Sequence, residues 1–459
     1  MCKAPLLEGL LAPSLRTRGP FALFGIDFQT TLPVSLYLLV MFFTATPTYA
    51  SSSDDDDDSS PSRGGDPDDS STDVILPGDL MDPNQPPNPV DNAWRWRFGK
   101  LGGMSERERV ALAASAAPPA PEAEAGTQPD DTDCVELKCR FHKELPKQKG
   151  VTNVRLAYGA PHATAACFDG AVRTFDSNTG TCIFTQPSLD AGTGGAACLD
   201  LRYRPPAPGA ANHVVYACYS DASLHAYHAT SERRLKSTST GFGTAAYSLD
   251  IDASGGQLAL GCEDACVRLL DESTLKQKSA LTFGHTNRIN AVRFSPEDAN
   301  VIASAGWDNT LRVWDTRSGK PTFTAIGAYV CGDAVDVSGP YVLAASWRTC
   351  RQLQVYDVRG TSDEALHAFE FVPSGRAELG RVYCASFARH LTQKSGRLHV
   401  GAGGGRRFRI FDLSTGRVKA SYDARDTVHG MSFAEDDSVV AIGLAEGVCA
   451  LNVNVADVL

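Results

Sequence analysis

The side chains best placed to do chemistry in this 459-residue chain are His285 and Asp308. A histidine with a carboxylate is half of a general-base arrangement, the carboxylate orienting the imidazole. The segment around them places no nucleophile beside the pair. The chain also has no Gly-X-Ser-X-Gly elbow, no Walker loop and no histidine-rich metal cluster. Gly401–Gly405 is a glycine run at a strand-to-turn junction, without the Lys-Ser/Thr that follows a phosphate cradle. Cys262 and Cys266 straddle a turn, but no second Cys/His pair follows at zinc-site spacing. The expectation is a protein that is not an enzyme, with no cofactor, no metal and no evident small-molecule substrate.

What must hold His285 and Asp308 is a repeating unit. From Gly284 to Lys320 a Gly-His pair, a strand, a Ser-Pro turn, a second strand, a tight Asp-Asn turn and a third strand ending in Trp314-Asp315 follow in order. Val292 and Phe294, Val301 and Ala303, and Leu311 and Val313 alternate with polar or small partners at period two, as packed strands require. This order and length resemble one WD40 repeat, the blade of a β-propeller. A lone blade cannot bury its apolar face, so copies must surround it. Asp308 lies six positions before Trp314, and the same interval relates Asp169 to Phe175, Asp221 to Tyr227 and Asp264 to Leu270. Tyr356-Asp357 and Phe411-Asp412 stand where Trp-Asp would be, and Asn452 takes the slot in a worn last copy. The separations of 52, 43, 44, 42, 55 and 41 residues predict an all-β, seven-bladed propeller over residues 134–459.

The resemblance implies more. In the family, a blade-entry His, a Ser, the turn Asp and the Trp form a buried hydrogen-bonded set, here His285, Ser304, Asp308 and Trp314. Such a set acts as a clamp, because buried polar groups must be paired. Blades one to three keep the turn Asp but lack the His. The last copy has three strands, and an unpaired edge is a liability. Cys134–Phe141, which alternates apolar and charged residues, is the candidate strand to complete it.

The residue before the turn Asp is Phe168 in blade one and Trp307 in blade four. Trp347 aligns with Trp307 in blade five, and Tyr219 lies one place out of step in blade two. These rings, bordered by Arg288 and Asn290, form a candidate protein-binding rim. The leading functional expectation is therefore a non-catalytic scaffold or adaptor for other proteins. A second is a substrate receptor of a cullin-RING ubiquitin ligase, from the resemblance of Trp314, Asp315 and Arg317 to the Trp-Asp-X-Arg box of such receptors.

Residues 1–133 are different material. Ser51–Ser71 is nearly all Ser, Asp, Pro and Gly, and Ala113–Asp133 mostly Ala, Pro and acid, so residues 51–133 read as a disordered acidic tail. Residues 1–133 carry 9 basic and 21 acidic side chains, leaving 34 and 33 of the chain's 43 and 54 for the near-neutral propeller. Without a basic stripe, direct nucleic-acid binding is not expected. Within residues 1–50, Leu32–Phe43 is apolar apart from Ser35 and precedes a small-residue site at Thr48–Ala50, as in a signal peptide, so secretion or membrane anchoring through residues 32–50 is the alternative localisation. The segment also reads as a mistaken gene start, with Met81 or Met104 as the first residue. Thirteen scattered cysteines and the absence of any Asn-X-Ser/Thr sequon favour an intracellular protein, cytoplasmic or nuclear.

Overall fold

The computed structural model describes residues 134–459 except 147–148, 188–194, 207–212, 232, 240–242, 349, 361 and 372–380. The expectations for residues 1–133, the signal-like stretch and acidic tail included, lie outside the described residues. Among the described residues, twenty-nine strands form seven sheets. Two short segments open the chain, β1 (Val135–Glu136) and β2 (Lys138–Glu144). The blades then begin with β3 (Val151–Leu156), β7 (Cys198–Tyr203), β11 (Ala246–Ile251), β15 (Ile289–Phe294), β19 (Val335–Ser338), β23 (Val382–Phe387) and β27 (Val428–Phe433). These seven strands touch one another in cyclic order, β27 returning to β3, so the ring is closed. The molecule is a seven-bladed β-propeller.

Burial follows from position in the blade. Every residue of β11 is buried, whereas an outer strand such as Cys182–Gln186 is mostly exposed. The Trp slot is filled by Phe175, Tyr227, Leu270, Trp314, Tyr356 and Phe411, all essentially inaccessible to water. In the last blade the slot belongs to Leu451 rather than Asn452. Leu451 pairs with Val440 as Trp314 pairs with Ile302, while Asn452 is exposed in the place of Asp315. An apolar side chain takes the buried position, and the polar residue beside it marks the strand's end.

The closing strand also differs from the sequence expectation. β2 pairs antiparallel with Gly447–Asn452, from Lys138 opposite Asn452 to Glu144 opposite Gly447, and completes blade seven. The preceding residues do not join it. β1 runs parallel to Arg417–Asp423 at the edge of blade six, and Leu137, between the two segments, is buried with Ala420 and Leu451. One segment therefore covers two edges. A seven-residue helix, α1 (Arg389–Ser395), follows β23, and a short α2 (Val455–Val458) ends the chain.

Candidate protein-binding site

Blade four brings His285, Ser304, Asp308 and Trp314 together. Trp314 Nε1 donates to Ser304 Oγ at 2.8 Å, and Ser304 Oγ lies 2.8 Å from His285 Nε2. His285 Nδ1 meets Asp308 Oδ2 at 2.8 Å, and the Asp308 carboxylate also accepts from the backbone amides of Thr286 and Thr310. One donor order satisfies all four side chains: Trp314 to Ser304, Ser304 to His285 Nε2, His285 Nδ1–H to Asp308. Burial pushes the Asp308 carboxyl up, but the hydrogen bonds from His285, Thr310 and the Thr286 amide outweigh it and hold the group below the ordinary carboxylate range. Gly284 lets the entry loop cross the indole, because a Cβ there would come within 2.4 Å of Trp314 Cη2.

A hydroxyl therefore lies beside the His-Asp pair, that of Ser304, as the resemblance implies. Ser304 is fully buried, and its oxygen is engaged by Trp314 and His285, so no substrate has a path to it. The arrangement is a clamp. Blades one and three replace the histidine by an arginine four residues after the turn Asp. Arg173 bonds Asp169 and Arg268 bonds Asp264, each through both guanidinium nitrogens.

The chemistry open to a partner lies at the mouth of the central channel. In six blades the first strand carries a bulge at its second residue: Thr152, Leu199, Tyr247, Asn290, Tyr383 and His429. A bulge adds one residue against the partner strand and re-aims its side chain. All six line a cavity of about 60 Å³ at this mouth, together with Trp307 and Trp347. Arg288 lies over Trp307, 4.3 Å from the ring centroid, and 5.3 Å from that of Tyr247. Arg381 covers Trp347 at 5.2 Å; Trp347 meets Tyr383 edge-on at 4.9 Å, and Tyr383 lies 5.2 Å from His429. Burial pushes the Tyr247 and Tyr383 hydroxyls up to about 12. Burial also lowers His429, leaving it neutral near pH 7. Trp307, Trp347 and Tyr383 are partly buried and carry the open part of the rim, with two guanidiniums over the rings, whereas Tyr247, Asn290 and His429 are buried behind them.

Below this mouth the channel is plugged by charge. Asp333 binds Arg155, Arg202 and Arg293, and accepts from Asn153 Nδ2 at 3.1 Å. Asp200 and Asp250 each bind Arg202 at 3.0 Å. Burial pushes the Asp333 carboxyl up, but the arginine charges prevail and lower it; Asp250, with one guanidinium against full burial, is pushed up to about 6. Three arginines thus face three aspartates. At the opposite mouth a cavity of about 530 Å³ opens beneath Arg389 and Tyr158. The sequence carries a signal for this plug: Val-Arg-Leu at 154–156, Leu-Arg-Tyr at 201–203 and Val-Arg-Phe at 292–294 end three first strands with Arg in one slot.

The structure separates the sequence-derived rim residues. Trp307, Trp347 and Asn290 line the cavity, and Arg288 lies over Trp307. Backbone bonds fix the equivalence, with the amides of Trp307, Trp347 and Phe168 donating to Arg288, Tyr329 and Gly150. In blade two that bond comes from Ser220, so Ser220 holds the slot. Tyr219 is buried instead, its hydroxyl 2.9 Å from that of Tyr227. Phe168 is partly buried and is not part of the cavity wall. Of the other box, Trp314 is buried, while Asp315 and exposed Arg317 pair with each other at 3.2 Å on the blade's edge. Tyr247, Tyr383 and His429 were not legible as rim residues, because a bulge is invisible in a pattern of alternating residues.

Comparison with known proteins agrees with this geometry. A model of the family described as "WD domain, G-beta repeat" matches residues 277–315, the blade that holds the His-Ser-Asp-Trp set. The chain is a WD40-repeat β-propeller. It is similar to ribosome assembly protein 4 of Chaetomium thermophilum, 42% identical over 65 residues, covering 14% of this chain and 12% of that protein. Guanine nucleotide-binding protein subunit beta-5b of Danio rerio is 43% identical over 70 residues, 15% of this chain and 17% of its own. The U3 small nucleolar RNA-associated protein 15 homolog of Xenopus tropicalis is 22% identical over 288 residues, 55% of this chain and 53% of that one. The WD40 chain thus spans between about an eighth and about half of these relatives' lengths. Among its described residues no helix is long and apolar enough to cross a membrane.

Proposed function

We propose that this propeller is a non-catalytic scaffold that captures protein partners at the channel mouth ringed by Tyr247, Arg288, Asn290, Trp307, Trp347, Arg381 and Tyr383. The observation that supports the reading most is the coincidence of bulge and ring. The strands spend a register shift in six blades to turn side chains toward one mouth, and half of those side chains are aromatic or imidazole. Three of the six, Thr152, Asn290 and His429, also bond the next blade or its entry loop, at the carbonyls of Cys198, Val330 and Val151, so the rings of Tyr247 and Tyr383 carry the reading. Aromatic rings and arginines are the residue types that dominate protein-binding hot spots, because they offer large rigid contact area with a polar handle. Arginines already lie over Trp307 and Trp347, so the surface presents guanidinium edges and suits a partner segment that brings carboxylates with an apolar side chain. The relatives that bear the names of ribosome assembly and small nucleolar RNA-associated proteins support an intracellular, RNA-linked assembly as the setting, with contact through protein.

Affinity purification of the chain from Asp131 onward, with mass spectrometry, tests the proposal. Proteins enriched on the wild type should be lost from Trp307→Ala/Trp347→Ala and kept by Arg389→Ala/Gln393→Ala at the opposite mouth. Equal capture by all three would reject the rim as the binding surface.

A further inference from the structure

The ring is held shut by a single strand, and that strand brings one thiol against another. Cys139 on β2 is exposed, and Cys449 on Gly447–Asn452 is buried; their sulfurs lie 3.3 Å apart across 310 positions of sequence. Cys139 sits opposite Leu451 and Cys449 opposite His142, so the two thiols are diagonal neighbours on one face of the ladder. The register slips between Cys139 and Phe141, which loosens the ladder at the pair. A disulfide bond is about 2.05 Å long, so the sulfurs must approach by roughly 1.3 Å. Closing a diagonal pair takes side-chain rotation together with a small shift of β2 at the register slip, and the other contacts of Cys449 Sγ, to Tyr422 Oη and the Ala450 carbonyl, oppose it little, both being weak at 3.8 Å.

We propose that Cys139 and Cys449 form an oxidation-dependent staple that closes the propeller covalently. The oxidant is a small-molecule disulfide of the glutathione class. The Cys139 thiolate attacks one of its sulfurs, forms a mixed disulfide and expels one glutathione thiolate, which takes up a proton. The Cys449 thiol then loses its proton to solvent and attacks the Cys139 sulfur, and the second glutathione thiolate leaves. Two protein thiols are oxidised to one disulfide, and one small disulfide is reduced to two thiols. Order follows from exposure: Cys139 meets solvent, whereas Cys449 is reached only through it. Burial also holds the Cys449 thiol well above the ordinary range, so Cys139 is the thiol that reacts first.

The staple would tie the ends of the propeller together at its weakest point. Without it, blade seven depends on one ladder contributed from the N-terminal side, and fraying of β2 leaves an open edge. With it, residues 139–449 form a covalent loop that takes in strands of all seven blades. The link also sits beside Leu137 and β1, where residues 1–133 join the propeller.

The test uses the full chain equilibrated in glutathione redox buffers, alkylated, denatured and digested with trypsin without reduction. Cleavage at Lys138, Arg140 and Arg425 should release Cys139-Arg140 joined to residues 426–459, two hydrogens lighter than the separate fragments. Oxidation should raise the melting temperature of the wild type by at least about 3 °C, and leave Cys139→Ser and Cys449→Ala unchanged. Cys139→Ser alters an exposed side chain, so it reports on the link even if Cys449→Ala disturbs the core. The proposal is overturned if oxidised protein carries only a glutathione adduct at Cys139, or if the linked form melts with the reduced one.

Discussion

Replacing Asp308 by alanine probes the clamp of blade four. The Asp308 side chain is 1% exposed, and that of its partner His285 0%. Removal leaves the His285 Nδ1–H only the longer contact to Thr310 Oγ1, at 3.2 Å, in place of a carboxylate, and frees the amides of Thr286 and Thr310, which lie nearer solvent. A charge-assisted hydrogen bond contributes about 1.5–3 kcal/mol, and each amide that can rehydrate about 0.5 kcal/mol. The expected loss is therefore about 3 kcal/mol. Asp169→Ala is the internal comparison: its carboxylate is 25% exposed, so screening reduces its ion pair with Arg173 to about 1 kcal/mol or less. Urea unfolding followed by tryptophan fluorescence and circular dichroism gives both values, with an unchanged slope showing that the unfolded state is the same. The pH dependence has a defined sign. The folded pKa of Asp308 lies below its unfolded value near 3.9, so its contribution is present above about pH 4 and disappears as pH falls through the folded pKa. The gap between wild type and Asp308→Ala should narrow in that range. A loss for Asp308→Ala no larger than that for Asp169→Ala would refute the reasoning.

Three further outcomes follow from the same structure. Asp333→Ala leaves Arg155, Arg202 and Arg293 facing one another, and should cost about 3–5 kcal/mol or prevent folding; Asp333→Asn should be milder, and thermal melting separates them. Trp314→Phe keeps most of the buried volume but removes the donor to Ser304, and should cost about 1–2 kcal/mol in the same unfolding assay. Deleting residues 134–144 removes the closing strand from blade seven and the edge strand from blade six, and should convert a monodisperse protein into aggregates on a sizing column.

The architecture was legible because period and spacing survive degeneration. Asp-to-anchor intervals located four of the seven blades, and Tyr-Asp and Phe-Asp pairs two more, even where Phe, Tyr or Leu replaces Trp, since any of them fills the same buried slot. The last copy was placed one residue late, because Asn452 resembles a terminal Asp and the true anchor, Leu451, resembles nothing in particular. The clamp residues could be named because four side chains with fixed roles recur at fixed offsets. The rim was half legible. Trp307 and Trp347 share a slot that a linear alignment finds, whereas Tyr247, Tyr383 and His429 owe their aim to bulges, which shift the alternation of strands without changing composition. Tyr219 shows the converse, a ring one residue out of register that turns inward to Tyr227. The plug lay in plain sight as a repeated arginine before the last residue of three first strands, but its aspartate, Asp333, comes from a connection with no repeat to announce it.

The most direct test of the scaffold account is amide hydrogen exchange on the purified complex with the partner most strongly enriched by the wild-type propeller. Protection should concentrate at residues 245–248, 286–290, 305–308, 345–348 and 381–384, the segments that carry the rim. The outer strands and the opposite mouth near Arg389 should exchange as in the free protein. Protection confined to the blade edges or to the Arg389 mouth, with the rim unchanged, would contradict the account.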